Sequence, residues 1–423
     1  MLSVTEALNH CLSSVPEVQL ETIRIEDADG RILAEDVCAP TPLPPWDNSA
    51  MDGYAVLDTD LGTATDTDCF SQGENPQGDG VVLRVLETIA AGSVPTEAIT
   101  TGTCARIMTG APLPEGATAV IMREETSDLD DNRVRIHAGA RPGQHIRRRG
   151  EEVPQGSVVL RRGIELSAPA IGLCAAVGRQ TVKVGRRPTV GIVSTGDEIV
   201  PPGQPLGPGQ IHSSNTHALS AWVRSCGAIP VDCGIAPDDL TATRAAFQRA
   251  IACDVVMSTG GVSVGDFDVV RQALIEEGAQ MGFWKVRMKP GKPLAFGIIG
   301  GRPAFGLPGN PVSCQVGFLQ FVRPFLRQFM GASEPFLPII YATASEDIRK
   351  RGGRAEFVRV RLDWAEDGVR ATTTGSQSSG QQTSMVHADG LMLLAPEQRE
   401  VPAGSRVAVQ QLHGGAQHPG YTW

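Results

Sequence analysis

Four short stretches gather the residues that could do chemistry. In "STGDE", Ser194 to Glu198, two hydroxyls (Ser194 and Thr195) precede Gly196, which allows a tight turn. Asp197 and Glu198 then present carboxylates of the kind that hold a hard cation such as Mg²⁺. Alone, such a turn is ordinarily capped by its own aspartate, so the stretch gains meaning only beside the others. In "STGGVSVGDFD", Ser258 to Asp268, Gly260, Gly261 and Gly265 expose backbone N–H groups that suit an anion, with Ser263 among them. Asp266 and Asp268 stand where the next helix begins, and N-capping is the ordinary role of one of them. In "WKVRMKPGKP", Trp284 to Pro293, an extended backbone puts Lys285, Arg287 and Lys289 on one face, with Lys292 just beyond the turn. A strand inside a parallel sheet has no free face, so this row is expected to point into a cleft rather than into solvent. In "LPGNPVSC", Leu307 to Cys314, Pro308, Gly309, Asn310 and Pro311 meet a helix N-terminus, another place that favours anions.

Competing chemistry is weaker. Gly261-Val-Ser263-Val-Gly265 matches the nucleophile elbow of serine hydrolases, but that elbow wants helix directly after Ser263, and its base would have to be His387, His413 or His418 in a separate β region. His212 and His217 flank "SSNT", where Asn215 reads as a helix N-cap; without a third ligand they make no zinc site. No phosphate-binding Walker motif occurs, because Lys292 is followed by Pro293. Near the N-terminus, "PPWDNSAMDGYAV" collects polar groups between a proline lead-in and an apolar exit. Asp47, Asn48 and Ser49 read there as a turn satisfying its own backbone, which leaves Asp52, before Gly53, as the carboxylate set apart.

Elements of two kinds must position these residues. From Pro188 onward, "PTVGIVSTG", "IPVDCGIA" and "CDVVMSTGG" read as buried strands, and "FWKVRMK" and "PLAFGII" as two more. Between and after them, helical spacing covers 216–226, 240–252, 268–277 and 311–323. Strands alternating with helices of this length imply right-handed crossovers and a doubly wound, mostly parallel α/β sheet, whose ligands bind outside the carboxyl ends of its strands. Elsewhere the text is β-like. Residues 47–142 carry short pieces such as "GVVLRVLETIA" and "ATAVIMREE", and past Pro335 "EFVRVRLDW", "GVRATTT", "GLMLLAPE" and "SRVAVQQL" read as a C-terminal barrel or sandwich. The polar "GSQSSGQQTS", 375–384, reads as a long mobile loop within it. Ser3 and Glu6 form a capping box for an opening amphipathic helix, and an Ala-rich helix is expected over 168–177.

Bulk properties narrow the function. At 423 residues several cores are expected, about three domains by length alone. With 37 basic against 47 acidic residues the net charge is −10, which argues against nucleic acid as a partner. Nine cysteines without a C-x-x-C pair suggest neither a zinc site nor a disulfide framework, and hence a reducing compartment. The first residues lack the pattern of a secretory signal, and no apolar run reaches the length of about 18 that a membrane helix requires, so a soluble, cytoplasmic protein is expected.

Taken in order, "DNSAMDGYA", "IMTGAPLPEGATAVIM", "IRRRGEE", "STGDE", "PGQPLGPGQI", "STGGVSVGDFD", "FWKVRMKPGKPLAFG" and "GLPGNPVS" resemble the MoeA family, the molybdopterin molybdenumtransferases, also seen as the gephyrin E-domain. The likeness runs from about residue 5 to 410. It implies four domains: an elongated, discontinuous linking domain (1–46 and 143–187), a β-rich module (47–142), an α/β molybdopterin-binding domain (188–332) and a C-terminal β-barrel (333–412). It also implies the last step of molybdenum cofactor assembly, in which molybdate enters the dithiolene of adenylated molybdopterin, with Mg²⁺-dependent cleavage of the pyrophosphate and release of AMP. The family's assembly is a homodimer whose cleft is shared between subunits, and a molybdopterin adenylyltransferase is the implied upstream partner.

Carried over residue by residue, the resemblance makes Glu198, Asp238 and Asp268 candidates for Mg²⁺ or for positioning the attacking water. Lys285, Lys289 and Lys292 would hold phosphate and molybdate oxygens. Asp52, Thr109, Arg147 and Glu152 would close the cleft from the partner subunit, and Arg359 and Ser379 fall on the oxyanion side. Two positions depart from the family's pattern: Glu152 replaces an aspartate after the arginine run, and Ser213 stands where an acidic residue is usual. A non-catalytic cofactor-binding scaffold of the same fold is the second reading and the serine hydrolase the third.

Overall fold

The computed structural model describes residues 1–62, 80–261, 269–365 and 368–412. Ser263, Gly265, Asp266, Asp268, His413 and His418 lie outside the described residues. The chain divides into two compact units, a smaller one of Asp36–Arg161 with Ala168–Thr181, and a larger one of Met1–Glu35, Arg162–Ser167 and Val182–Trp423.

Helix α1 (Val4–Leu12) opens the larger unit with the expected capping box: Ser3 Oγ accepts the Glu6 N–H at 3.2 Å and Glu6 Oε2 accepts the Ser3 N–H at 2.7 Å. Its buried face carries Ala7 and Cys11.

In the smaller unit, β1 (Asn48–Ser49) leads into a six-stranded sheet of β2 (Gly53–Val56), β3 (Val81–Ile89), β4 (Thr103–Ile107), β5 (Ala119–Met122), β6 (Thr126–Leu129) and β7 (Arg133–Ile136). Their order is β5-β2-β4-β3-β7-β6. All four residues of β2 are buried, because Tyr54 and Val56 pack with Leu83 and Ile121 on one face and Ala55 with Ile89 and Ile107 on the other. Gly53 is required at its start: a Cβ there would lie 1.8 Å from the Ile121 carbonyl oxygen. β1 pairs antiparallel with β8 (Ile146–Arg147), and the Ala-rich helix forms as α2 (Ala168–Ala176).

In the larger unit, β9 (Thr189–Thr195), α3 (Asn215–Ser225), β10 (Ile229–Ala236), α4 (Leu240–Ile251), β11 (Val255–Thr259) and α5 (Val269–Glu276) alternate as expected. β12 (Gln280–Phe283), the two-residue β13 (Met288–Lys289), β14 (Ala295–Ile299) and β15 (Arg302–Leu307) follow. The sheet order is β10-β9-β11-β15-β14-β12, with parallel pairing from β10 to β15 and antiparallel pairing of β14 with both its neighbours. α4 starts where Asp239 accepts the Ala242 N–H at 2.8 Å. Helix α6 (Pro311–Gly317) runs through a π turn at Phe318–Val322 into α7 (Arg323–Phe329), well past the expected end at 323.

The C-terminal strands are β16 (Ile339–Ala344), β17 (Ala355–Ala365), β18 (Gly368–Thr373), β19 (Gly390–Leu394) and β20 (Arg406–Gln411). Their order β17-β18-β16-β20-β19, with β19 pairing back onto β17, closes a five-stranded barrel. β16 is the strand that the sequence reading lacked. Two expectations are corrected. "WKVRMK" is not a strand of the α/β sheet: only Met288–Lys289 is extended, and it pairs in parallel with β17 of the barrel, so Lys285, Arg287 and Lys289 share no strand face. Nor is 375–384 a free loop. Its carbonyls hold a buried arginine, and it ends in the short helix α8 (Thr383–Val386).

Candidate active site

The parallel registers align Ser194 with Thr259 and Thr259 with Leu307, so β9, β11 and β15 end along one edge of the sheet. The turns that follow these ends, together with the first turn of α3 and Asp238, enclose a cavity of about 530 Å³. This is the place where an open α/β sheet offers a binding crevice. Ser194, Thr195, Gly196, Glu198, Asp238, Gly260, Gly261, Pro308, Asn310 and Pro311 all line it, as the sequence reading expected.

A set of hydrogen bonds ties the walls together. Asn215 is the first residue of α3 and not its cap: Nδ2 donates to Thr259 Oγ1 at 2.8 Å and to the Gly309 carbonyl at 2.7 Å, joining three loops. Ser194 Oγ lies 2.5 Å from Thr216 Oγ1, which also bonds Ser213, so the serine at the position where an acid is usual is buried in a hydroxyl cluster. Gly260 and Gly261 have φ of +93° and +62°, and a Cβ on Gly260 would lie 2.8 Å from the Thr195 carbonyl oxygen. Only glycine lets the two loops approach so closely. Thr195 Oγ1 and Asn215 Oδ1 are buried without a hydrogen-bond partner among the described residues. Behind Thr259, burial pushes the Cys314 thiol up to about 12, which rules it out as a nucleophile at neutral pH.

Among the described residues no group of three or more His, Cys, Asp and Glu side chains could hold a metal by itself. Glu198 and Asp238 nevertheless face one cavity, and the Asp238 N–H donates to Asp197 Oδ1 at 3.0 Å, which fixes the two turns together. Two carboxylates suit a cation that completes its shell with water and substrate phosphate, as Mg²⁺ does.

The expected cationic row does not line this cavity. Lys289 Nζ is held at 3.1 Å by Glu356 of β17, a carboxylate with 6% of its side chain exposed; Lys292 is exposed and directly precedes Pro293, which does line the cavity. Lys285 is half-buried. Arg359 is wholly buried. Its Nε donates to Ser384 Oγ at 2.8 Å and Nη2 to the Ser376 and Ser378 carbonyls at 3.2 Å, while burial pushes its pKa down to about 10. The Ser379 carbonyl accepts the Val312 N–H at 3.1 Å, so this loop caps the first turn of α6 beside Asn310.

In the smaller unit, Asp52 and Thr109 form one exposed cluster. Asp52 Oδ1 accepts the Thr109 N–H at 2.7 Å and its hydroxyl at 2.8 Å, and these bonds hold the Asp52 carboxyl below the usual carboxylate range. Arg147 and Glu152 are exposed. Asp47 does not turn on its own backbone, as expected from sequence, but accepts the Arg149 N–H at 2.8 Å and Arg148 Nη1 at 2.7 Å; Asn48 and Ser49 do bond locally, to the Trp46 and Met51 carbonyls.

Comparison with known proteins places this geometry. The chain matches the MoeA N-terminal region (domain I and II) over residues 2–178, a probable molybdopterin binding domain over 191–328, and the MoeA C-terminal region (domain IV) over 341–412. It is 39% identical over 397 residues to molybdopterin molybdenumtransferase 2 of Mycobacterium tuberculosis, covering 92% of this chain and 95% of the relative. It is 35% identical to the molybdopterin molybdenumtransferase of Haemophilus influenzae, covering 98% and 99%. The chain belongs to the molybdopterin molybdenumtransferase (MoeA) family. Crystal structures of the molybdopterin biosynthesis moeA protein from Pyrococcus horikoshii match this MoeA-family chain at TM-scores of 0.79 and 0.81, with 31% and 28% identity, over 98% and 97% of it and 100% of each structure.

Three features of this MoeA-family site escaped sequence reasoning. Asn215 was read as a cap, although its place after a hydroxyl pair at the crevice edge was visible. Thr259 passed as part of a glycine-rich stretch, although it ends a buried strand. Glu356 carried no local signal, since its partner Lys289 lies in a distant segment.

Proposed function

We propose that this protein inserts molybdate into the dithiolene of adenylated molybdopterin, with Mg²⁺-dependent cleavage of the pyrophosphate and release of AMP. The observation that carries the reading is one cavity lined both by the glycine turn at Gly260–Gly261 and by the carboxylates Glu198 and Asp238. Backbone N–H groups of such a turn suit phosphate oxygens, and the helix start at Asn310–Pro311 adds a favourable dipole. Asn215 and Thr259 keep these donors in place by cross-linking the loops that carry them. Glu198 and Asp238 would hold Mg²⁺, which when bound neutralises phosphate charge. Lys292, exposed beside the cavity-lining Pro293, is the cation best placed to meet an oxyanion, and Lys289, held by Glu356, keeps its ammonium in one position. Near full-length likeness to proteins named molybdopterin molybdenumtransferase supports the same reading.

A homodimer belongs to this proposal, as does an upstream enzyme that transfers the adenylyl group onto molybdopterin, since the substrate must be supplied already adenylated. Among the described residues no helix is long and apolar enough to cross a membrane. The deciding experiment incubates the protein with adenylated molybdopterin, molybdate and Mg²⁺ and follows AMP. Release that requires molybdate supports the reading, whereas no release, or release indifferent to molybdate, overturns it.

A further inference from the structure

Lys289 is already neutralised where it stands. It is the register partner of Glu356 in the short parallel ladder of β13 and β17, and its Nζ lies 3.1 Å from Glu356 Oε2. An ammonium and a carboxylate held together sum to zero, so the pair alone offers a dianion no net attraction. Nor can water take over the carboxylate when the lysine turns away. Only 6% of the Glu356 side chain is exposed, and its second oxygen, Oε1, is buried without a hydrogen-bond partner among the described residues. Leaving such a carboxylate without its cation is strongly unfavourable. A second ammonium stands close by. Lys350 Nζ donates to the Arg354 carbonyl at 2.6 Å, two residues before Glu356, and the Lys350 N–H donates to the Arg399 carbonyl at 2.9 Å, which fixes the turn that carries it. Its acceptor there is neutral. Burial lowers the Lys350 pKa, Glu356 and Glu397 act to raise it, and Lys289 and Arg354 act to lower it, so Glu356 is within electrostatic reach of both lysines.

We propose that Lys350 is a positioning residue for the oxyanion, taking Glu356 as its own counter-ion when Lys289 turns its ammonium to molybdate. The inference rests on the functional reading above and adds to it a residue that no sequence motif singled out. With Lys350 counted, the three groups carry one net positive charge, and a dianion arriving at Lys289 is attracted rather than met by a neutral pair. Arg351, Arg354 and Arg399 add three cations to this part of a chain whose net charge is −10, which favours the approach of an anion here. Lys350 acts through Glu356 and not on the oxyanion directly, so its effect must vanish when the Glu356 charge is removed.

The test is a double-mutant cycle read in the affinity of the full-length protein for molybdate, measured by titration calorimetry at low salt. Lys350→Met, which keeps the aliphatic stem and removes the charge, should weaken molybdate binding about tenfold, whereas Lys350→Arg, which keeps the charge, should bind as wild type does. Glu356→Gln frees Lys289 and should bind molybdate at least as tightly as wild type. In that background Lys350→Met should change nothing, a non-additivity that general damage to the barrel would not produce. Wild-type affinity in Lys350→Met, an equal loss in Lys350→Arg, or the same loss with and without Glu356 overturns the proposal, as does a wild-type protein that does not bind molybdate. The comparison of methionine with arginine decides the matter even if Glu356→Gln does not fold. Binding is read without turnover, so it stands apart from the functional reading: molybdate-dependent AMP release without the Lys350 effect overturns this inference alone, and the Lys350 effect without molybdate-dependent AMP release overturns the functional reading.

Discussion

Replacing Asn215 by aspartate isolates the tie that holds the cavity together. The two side chains have the same shape, so no void is created. What changes is one group: an N–H₂ that donates to Thr259 Oγ1 at 2.8 Å and to the Gly309 carbonyl at 2.7 Å becomes a carboxylate oxygen. Thr259 can turn its hydroxyl proton toward the new acceptor and keep one bond. The Gly309 carbonyl cannot, and is left facing a negative oxygen. Losing one hydrogen bond and leaving an acceptor opposed costs about 2–3 kcal/mol, which is about 30- to 150-fold in an equilibrium. Because Gly309 and Thr259 carry the glycine turns of the cavity, the loss should appear both as lower stability to urea and as a higher KM for adenylated substrate.

The pH dependence makes the prediction specific. The Gly309 carbonyl raises the folded-state pKa of the introduced carboxyl above its unfolded value of about 3.9. The penalty is therefore fully present above that raised pKa and disappears as pH falls through it, when the protonated acid regains an O–H to donate. The stability gap between wild type and Asn215→Asp should narrow on going from pH 7 to about pH 5, while the gap for Asn215→Ala, which has nothing to protonate, should not. Urea unfolding at the two pH values measures both. A variant as stable as wild type at pH 7, or a gap that stays constant on acidification, would refute the role assigned to Asn215.

Three further outcomes are expected. At the other end of β9, burial pushes the Asp254 carboxyl up, but Arg186 and the Thr189 N–H and hydroxyl outweigh it and hold it at about 2 against an ordinary 3.8. That difference contributes about 2 kcal/mol above the unfolded pKa and is lost as pH falls toward the folded one; Asp254→Asn should therefore be destabilised at pH 7 and converge on wild type near pH 2, and parallel unfolding curves at every pH would contradict this. Arg359→Met removes the bonds to Ser376, Ser378 and Ser384, so amide exchange at Val312, whose N–H is held by Ser379, should rise about tenfold or more; unchanged exchange would show that the arginine does not pin the loop. Asp52→Ala should leave the melting temperature unchanged and abolish AMP release, and a fully active variant would remove Asp52 from the site.

What could be read locally and what could not divide along a physical line. β9 and β11 were legible because each is a short apolar run ended by a glycine turn, and once such strands lie parallel their carboxyl ends must share an edge; β15, not read as a strand from sequence, joins that edge through its parallel register with β11. Gly260 was legible within its glycine turn for the same reason, whereas the need for Gly53 shows only in the close approach of the Ile121 carbonyl. "WKVRMK" was misread because a period of two says only that a segment can be extended; it does not say which strand pairs with it, and here β17 of the barrel draws Met288–Lys289 away from the α/β sheet. The charges followed the same rule. In "EFVRVRLDW", Arg359 and Arg361 fall on one face by alternation, yet one is wholly buried and the other exposed. The difference lies in the carbonyls of Ser376 and Ser378, which take the place of water around the guanidinium. A polar loop without apolar residues looks mobile in sequence because nothing in it drives burial; it is ordered here because a buried cation elsewhere in the chain needs its oxygens. Periodicity therefore reports which segments can pair, whereas the partner that satisfies a buried charge is set by packing at long range.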